Sequence, residues 1–158
     1  MKKIKKLLFI CAGNTARSPA AEYLAKYYAQ KYNLDIYIDS CGFFNAFSYM
    51  QPESQEYLNT KGIDHSDFKP KILSKPLLEK QDLILTMEQS QSIELIRDFS
   101  SIGDIDKKVM TLKEFNGNFS NPDIIDPYYT NSDTYLKILK IIESNIENLI
   151  QKIRESYS

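Results

Sequence analysis

The stretch KLLFICAG, residues 6–13, constrains this chain more than any other. Lys6 to Ile10 is a short apolar run closed by a glycine turn, the pattern of a strand buried on both faces. A helix follows with almost no connection. Ser18 is placed to cap it, Pro19 suits the first helical position, and Ala20, Ala21, Leu24, Ala25, Tyr28 and Tyr32 recur at helical spacing. A doubly covered strand that passes straight into a helix belongs to a parallel sheet with crossover helices.

The alternation continues. LDIYIDSCG, residues 34–42, reads as a second strand, and ESQEYLNTKGI, residues 53–63, as a helix ending near Gly62. DLILTM, residues 82–87, is a third strand, followed by a polar helix from about Gln89 to Phe99; KKVMTL, residues 107–112, is the fourth. In the last helix Tyr135, Ile138, Leu139, Ile142, Ile146, Leu149, Ile150 and Ile153 step by three and four, one stripe for packing on a sheet. No repeat, low-complexity tract or Pro/Gly/Ser linker divides the chain, and 158 residues suffice for one core. The expectation is α/β: a single doubly wound domain over residues 1–158, with a four-stranded parallel sheet and helices on both faces.

Twenty basic and 21 acidic residues are interspersed, for a net charge of −1, so the basic stripe of a nucleic-acid binder is missing. No stretch approaches the roughly 20 apolar residues of a membrane span. The opening MKKIKKLLFICAG has the charged and apolar parts of a secretion signal. Its apolar run, Leu7 to Ala12, is short, however, and no small-residue cleavage site precedes Asn14-Thr15, so it reads as the first strand. Two cysteines outside any disulfide framework point to a reduced, cytoplasmic setting, and a lone histidine, His65, suits neither a Cys-His protease nor a zinc site.

In doubly wound folds ligands bind beyond the carboxyl ends of the strands, where Cys11 to Ser18 lies. The N–H groups of Ala12, Gly13, Asn14, Thr15, Ala16, Arg17 and Ser18, with the helix dipole, converge on one point suited to an anion. Gly13 and Asn14 tolerate the backbone angles such a loop demands. The planar fork of Arg17 matches two phosphate oxygens and closes the loop around a tetrahedral dianion. Cys11 then lies beneath the phosphorus, where a helix N-terminus and an arginine favour the reactive thiolate, and Ser18 can donate to it. Neither the Gly-Lys-Ser/Thr ending of a nucleotide loop nor Gly-x-Gly-x-x-Gly is present.

CAGNTARS, Cys-x5-Arg-Ser directly after an N-terminal strand, resembles the signature of the low-molecular-weight protein tyrosine phosphatases. The likeness runs along nearly the whole chain: DSCGF stands where the family has a Ser-x-Gly turn, DLILTM matches its third strand, and DIIDPYYTN its Asp-Pro loop, about residues 121–130. An Asp-Pro pair alone is only a turn signal. The resemblance implies that Cys11 forms a phosphocysteine, that Arg17 and the loop amides hold the phosphoryl oxygens, and that Asp126 is the general acid and then base. Asp123 is a nearby alternative, set aside because the family's acid directly precedes its proline. The resemblance further implies that Asn14, Ser18 and Ser40 support the loop, and that Thr15, Phe44, Phe47, Tyr128 and Tyr129 wall the cleft, with Phe43 adding aromatic surface at its rim. The implied partner is a phosphorylated protein or peptide, with inorganic phosphate as product and inhibitor and no metal or organic cofactor.

Three positions depart from the family. Ala16 stands where many relatives have a second cysteine beside the loop arginine, which leaves Cys41 as either a redox partner for Cys11 or a small buried residue. Phe68 stands where the family often has a histidine near the loop asparagine. Thr15 replaces the bulky aliphatic residue usual in tyrosine-specific members and matches a phosphoarginine-specific branch, whereas Tyr128-Tyr129 and the following TNSDTYLKIL look like the tyrosine branch. The expected activity is dephosphorylation of phosphotyrosine, with phosphoarginine as the alternative. Arsenate reductases share this fold and loop but need two further cysteines around the third strand, and residues 80–100 contain none. A non-catalytic phosphate-binding module would be expected to lose Cys11 or Asp126.

Overall fold

A computed structural model describes residues 2–158. In chain order its elements are β1 (Lys6–Cys11), α1 (Arg17–Lys31), β2 (Tyr37–Gly42), α2 (Pro52–Thr60), α3 (Lys75–Glu79), β3 (Leu83–Thr86), α4 (Gln89–Asp98), α5 (Ile105–Lys108), β4 (Val109–Thr111), α6 (Leu112–Phe115) and α7 (Ser132–Ser156). The four strands form one sheet in the order β2-β1-β3-β4, all parallel. The chain leaves β1 toward β2 on one side and later returns to place β3 on the other. The carboxyl end of β1 therefore sits where the winding reverses, the crevice in which open α/β sheets hold ligands.

Side-chain alternation along β1 divides the core in two. Leu7, Phe9 and Cys11 face α1, α2 and α7; Leu8 and Ile10 face the opposite way, with Leu78 of α3, Leu95 of α4 and Ile105 of α5. Helices thus cover both faces. The whole expected stripe of α7, Tyr135 to Ile153, is buried against the first face. Glu143, on the same helix, accepts hydrogen bonds from Tyr28 of α1 (2.7 Å) and from Tyr57 of α2 and pairs with Lys61 (2.9 Å), which ties three helices together.

Element ends differ from the sequence expectation for identifiable reasons. α1 begins at Arg17 rather than after Ser18, and its N-cap, Ala16, offers no side-chain bond. Pro19 lies in the first turn but is the third helical residue, where its missing N–H still costs nothing. β2 starts at Tyr37 instead of Leu34, because the Leu34 N–H turns back to the Ala29 carbonyl (2.8 Å) to close α1. β4 shrinks to three residues: Lys107 and Lys108 belong to α5, and Leu112 opens α6, which Thr111 and Glu114 cap reciprocally. Among the described residues no helix is long and apolar enough to cross a membrane.

Candidate active site

The loop from Cys11 to Arg17 is shaped from below. Asn14 adopts a left-handed conformation, φ 53°. Gly42, at the end of β2, lies so close beneath that a Cβ there would meet Asn14 N at 2.7 Å, Gly13 C at 2.8 Å and Ala12 O at 2.9 Å. The Ala12 carbonyl accepts from Phe43 N (2.7 Å) and the Thr15 carbonyl from Gln51 N (2.8 Å), so the loop's carbonyls are bonded outward. Among the described residues the N–H groups of residues 13–17 have no acceptor, and they stand at the N-terminus of α1. Free amides at a helix N-terminus are the arrangement an anion site requires.

A hydrogen-bond chain runs behind Cys11. The buried Asn14 amide donates to Ser18 Oγ and to Ser40 Oγ, each at 2.9 Å, and Ser40 Oγ donates to Glu22 Oε1 at 2.5 Å. Ser18 Oγ lies 2.9 Å from Cys11 Sγ, and the Ser18 N–H reaches the same sulfur at 3.4 Å. Asn14 Oδ1 accepts from Lys71 N (3.0 Å), so a backbone amide meets the loop asparagine. Phe68 packs edge-on against Tyr23 instead. Burial pushes the Glu22 carboxyl above its ordinary value, against the opposing bonds from Lys26 and Ser40.

Cys41 is not poised to pair with Cys11. The register sets Cys41 opposite Ile10, and its side chain enters the other core face, so the two sulfurs point to opposite sides of the sheet. Both thiols are free, and burial pushes that of Cys41 up.

Arg17 is 2% exposed and gripped through one nitrogen: Nη1 donates to Glu88 Oε2 and to the Ile124 carbonyl, both at 2.6 Å. Its Nη2 lies 3.9 Å from Asp126 Oδ2. Asp126 accepts from Tyr128 N (3.0 Å) in the tight turn expected of Asp-Pro, whereas Asp123 is bound at the start of α4 through Gln89 N (2.7 Å).

Cys11, Thr15, Arg17 and Asp126 line one cleft of about 310 Å³, together with Phe44, Phe47, Tyr128 and Tyr129. Phe47 and Tyr128 approach within 5.6 Å between ring centres, and Tyr129 packs edge-on against Tyr128 at 4.1 Å while remaining 94% exposed. Phe43 is not at this rim. It packs instead against the opposite core face, the cluster that Leu73 and Leu77 also cover. Asn14, Ser18 and Ser40 sit behind the cleft.

Sequence reasoning missed Glu22, Glu88, Gln51 and the Ile124 carbonyl. Glu22 and Lys26 look like an exposed i,i+4 pair, and Glu88 with Gln91 looks like a capping box, which they also form. Nothing local assigns Glu88 to Arg17, 71 residues away.

Comparison with known proteins agrees with this geometry. The model of the family described as low molecular weight phosphotyrosine protein phosphatase matches residues 6–158. The chain is 30% identical to a protein-arginine-phosphatase of Bacillus subtilis over 150 residues, 94% of this chain and 97% of that protein. It is 34% identical to the low molecular weight protein-tyrosine-phosphatase PtpB of Staphylococcus haemolyticus over 134 residues, 82% and 86% of the two chains. It also superposes on a cysteine-to-serine mutant of the YwlE arginine phosphatase with a phosphorylated active-site serine, at a TM-score of 0.85, 29% identity and coverage of 96% and 97%. With a Cys-x5-Arg loop at the reversal point of a parallel sheet and a family match from β1 through α7, the chain belongs to the low-molecular-weight phosphotyrosine protein phosphatase family.

Proposed function

We propose that the chain removes phosphate from phosphotyrosine in proteins through a phosphocysteine intermediate. In this reading it acts as one phosphatase domain over residues 1–158, with a phosphate-binding loop at 11–18 and an Asp-Pro loop at about 121–130. The observation that carries the reading is the shared cleft: a cysteine, an arginine and a carboxylate line it together with the paired rings of Phe47 and Tyr128.

The dianion sits on the free amides of the loop, with Arg17 Nε and Nη2 on its equatorial oxygens. Cys11 Sγ attacks phosphorus in line; the S–P bond forms as the P–O bond breaks, and Asp126 protonates the departing phenolate. Water then attacks phosphorus, gives its proton to Asp126, and the S–P bond breaks to release inorganic phosphate. Ser18 stabilises the thiolate that leaves. We place the reaction in the cytoplasm, on phosphorylated proteins rather than nucleic acid or membrane; two free thiols and evenly mixed charge support this.

Phosphoarginine is the second reading, supported by Thr15 in the cleft wall and by the likeness to the Bacillus subtilis protein-arginine-phosphatase. Parallel turnover of a phosphotyrosine and a phosphoarginine peptide, with Cys11→Ser as blank, decides between them. Faster release from phosphotyrosine supports the first. In Asp126→Asn, kcat on phosphotyrosine should fall about 10²–10⁴-fold, and much less on an aryl phosphate whose leaving group needs no proton. Equal loss on both substrates would remove Asp126 as the acid.

A further inference from the structure

Beside the catalytic cleft lies a second depression of about 300 Å³, and Phe47 and Tyr128 line both. Tyr49, Pro52, Glu53 and Pro127 add to its walls. The rings form a continuous strip: Tyr49 lies 5.8 Å from Phe47 between ring centres, Phe47 5.6 Å from Tyr128, and Tyr128 4.1 Å from Tyr129. Tyr49 is 52% exposed and Tyr128 40%, so both offer ring surface to an incoming group.

The two neighbouring spaces differ in charge. The cleft has Arg17 and the loop amides for a dianion. Among the described residues that line the second depression, Glu53 alone is charged, and no ion pair engages it. Glu53 is exposed in the first turn of α2, held there by the helix that Pro52 opens. A carboxylate set among open aromatic rings suits a flat cation: ring faces attract a guanidinium, which can stack on them while its edge donates to the carboxylate. The spacing suits a peptide. Groups packed on opposite faces of a one-ring wall lie about 7–8 Å apart. Side chains two residues apart in an extended chain project to the same side at about 6.6 Å, and the one between them points away.

We propose that this depression is a substrate subsite for a basic side chain, arginine above all, two residues from the phosphotyrosine, with Glu53 as its counter-ion and the rings of Tyr49 and Tyr128 as its platform. The inference rests on the phosphatase reading above and deepens it, because it specifies the sequence around the phosphoresidue. An aliphatic side chain there would leave Glu53 unpaired, and an acidic one would face it directly.

The test measures kcat and KM on phosphotyrosine peptides of otherwise uncharged sequence, in which a single arginine is moved along the positions before and after the phosphotyrosine. In wild type, arginine at one position, two residues away, should raise kcat/KM about tenfold over the arginine-free peptide, mainly through KM. Leucine at that position should give at most about a third of the gain. Glu53→Gln should cut the arginine gain to about threefold, and Glu53→Lys should abolish it. An equal gain at every position means diffuse charge attraction and overturns the assignment. So do leucine matching arginine, a gain untouched by both Glu53 variants, and no gain above about twofold at any position. Turnover of the arginine-free peptide reports the phosphatase reading separately: wild-type protein inert on every peptide fails that reading and takes this inference with it.

Discussion

The Ser18 hydroxyl oxygen lies 2.9 Å from Cys11 Sγ and accepts from the Asn14 amide, so toward a Cys11 thiolate, which can only accept, Ser18 is the donor. The other acceptor within reach, the Cys41 carbonyl, is at 3.5 Å. A hydrogen bond to an anion contributes about 1.5–3 kcal/mol, so Ser18→Ala should slow turnover roughly ten- to a hundredfold. The slower step should be hydrolysis of the phosphocysteine, in which the thiolate leaves. Rapid quench should therefore trap more phosphoenzyme than in wild type; less trapped phosphoenzyme at steady state would place the role of Ser18 elsewhere.

Glu88 holds Arg17 through Nη1, the nitrogen that also donates to the Ile124 carbonyl, and leaves Nη2 to the Asp126 side. Glu88→Ala leaves a nearly buried guanidinium short of its main anion, while Glu88 itself is about one-third exposed, so a stability loss of about 1–3 kcal/mol is expected. Inorganic phosphate should restore part of it by supplying the lost charge. The rise in Tm with phosphate should thus be larger in Glu88→Ala than in wild type. An equal or smaller rise would show that Arg17 keeps its place without Glu88.

Glu143 makes part of the stability pH-dependent. Burial pushes its carboxyl up, but the bonds from Tyr57, Tyr28 and Lys61 together outweigh this and leave it below its ordinary 4.5. A carboxyl depressed in the folded state stabilises the protein above its unfolded pKa, and that contribution is lost as pH falls through the folded value. Glu143→Gln should lower Tm near neutrality and converge on wild type well below pH 4.5. A constant Tm gap from neutral to acid pH would contradict it.

Gly42→Ala tests the support beneath the loop. Its Cβ would press on backbone atoms of Ala12, Gly13 and Asn14, which can yield only if the loop shifts. A displacement near 1 Å can cost about 10²-fold in rate, while overpacking costs about 1–3 kcal/mol. Activity should therefore collapse in protein that still melts cooperatively. Near-normal kcat in a folded Gly42→Ala would mean that the loop tolerates the contact.

Much of the architecture is legible without coordinates because it is local. The passage from β1 into α1, the stripe of α7 and the Asp-Pro turn each follow from spacing within a few residues, and their departures are confined to ends, as at Leu34, Lys107 and Ser18. The cap expected of Ser18 is absent because α1 already includes Ser18, and its hydroxyl turns instead to Asn14 and Cys11, contacts invisible from the helix pattern alone.

The sequence by itself determined a parallel α/β sheet and a loop that offers Cys11, free amides and Arg17 to an anion, since covalent spacing and side-chain periodicity suffice for both. Only the tertiary structure decided which carboxylates serve that loop. Glu88 and the Ile124 carbonyl reach Arg17 across 71 and 107 residues, Glu22 closes the chain through Ser40 and Asn14, and Asp123 is diverted to α4. It also separated Cys41 from Cys11, because a parallel register with side chains alternating every residue sends neighbouring positions to opposite faces, and no count along the chain reveals which face a partner strand will share.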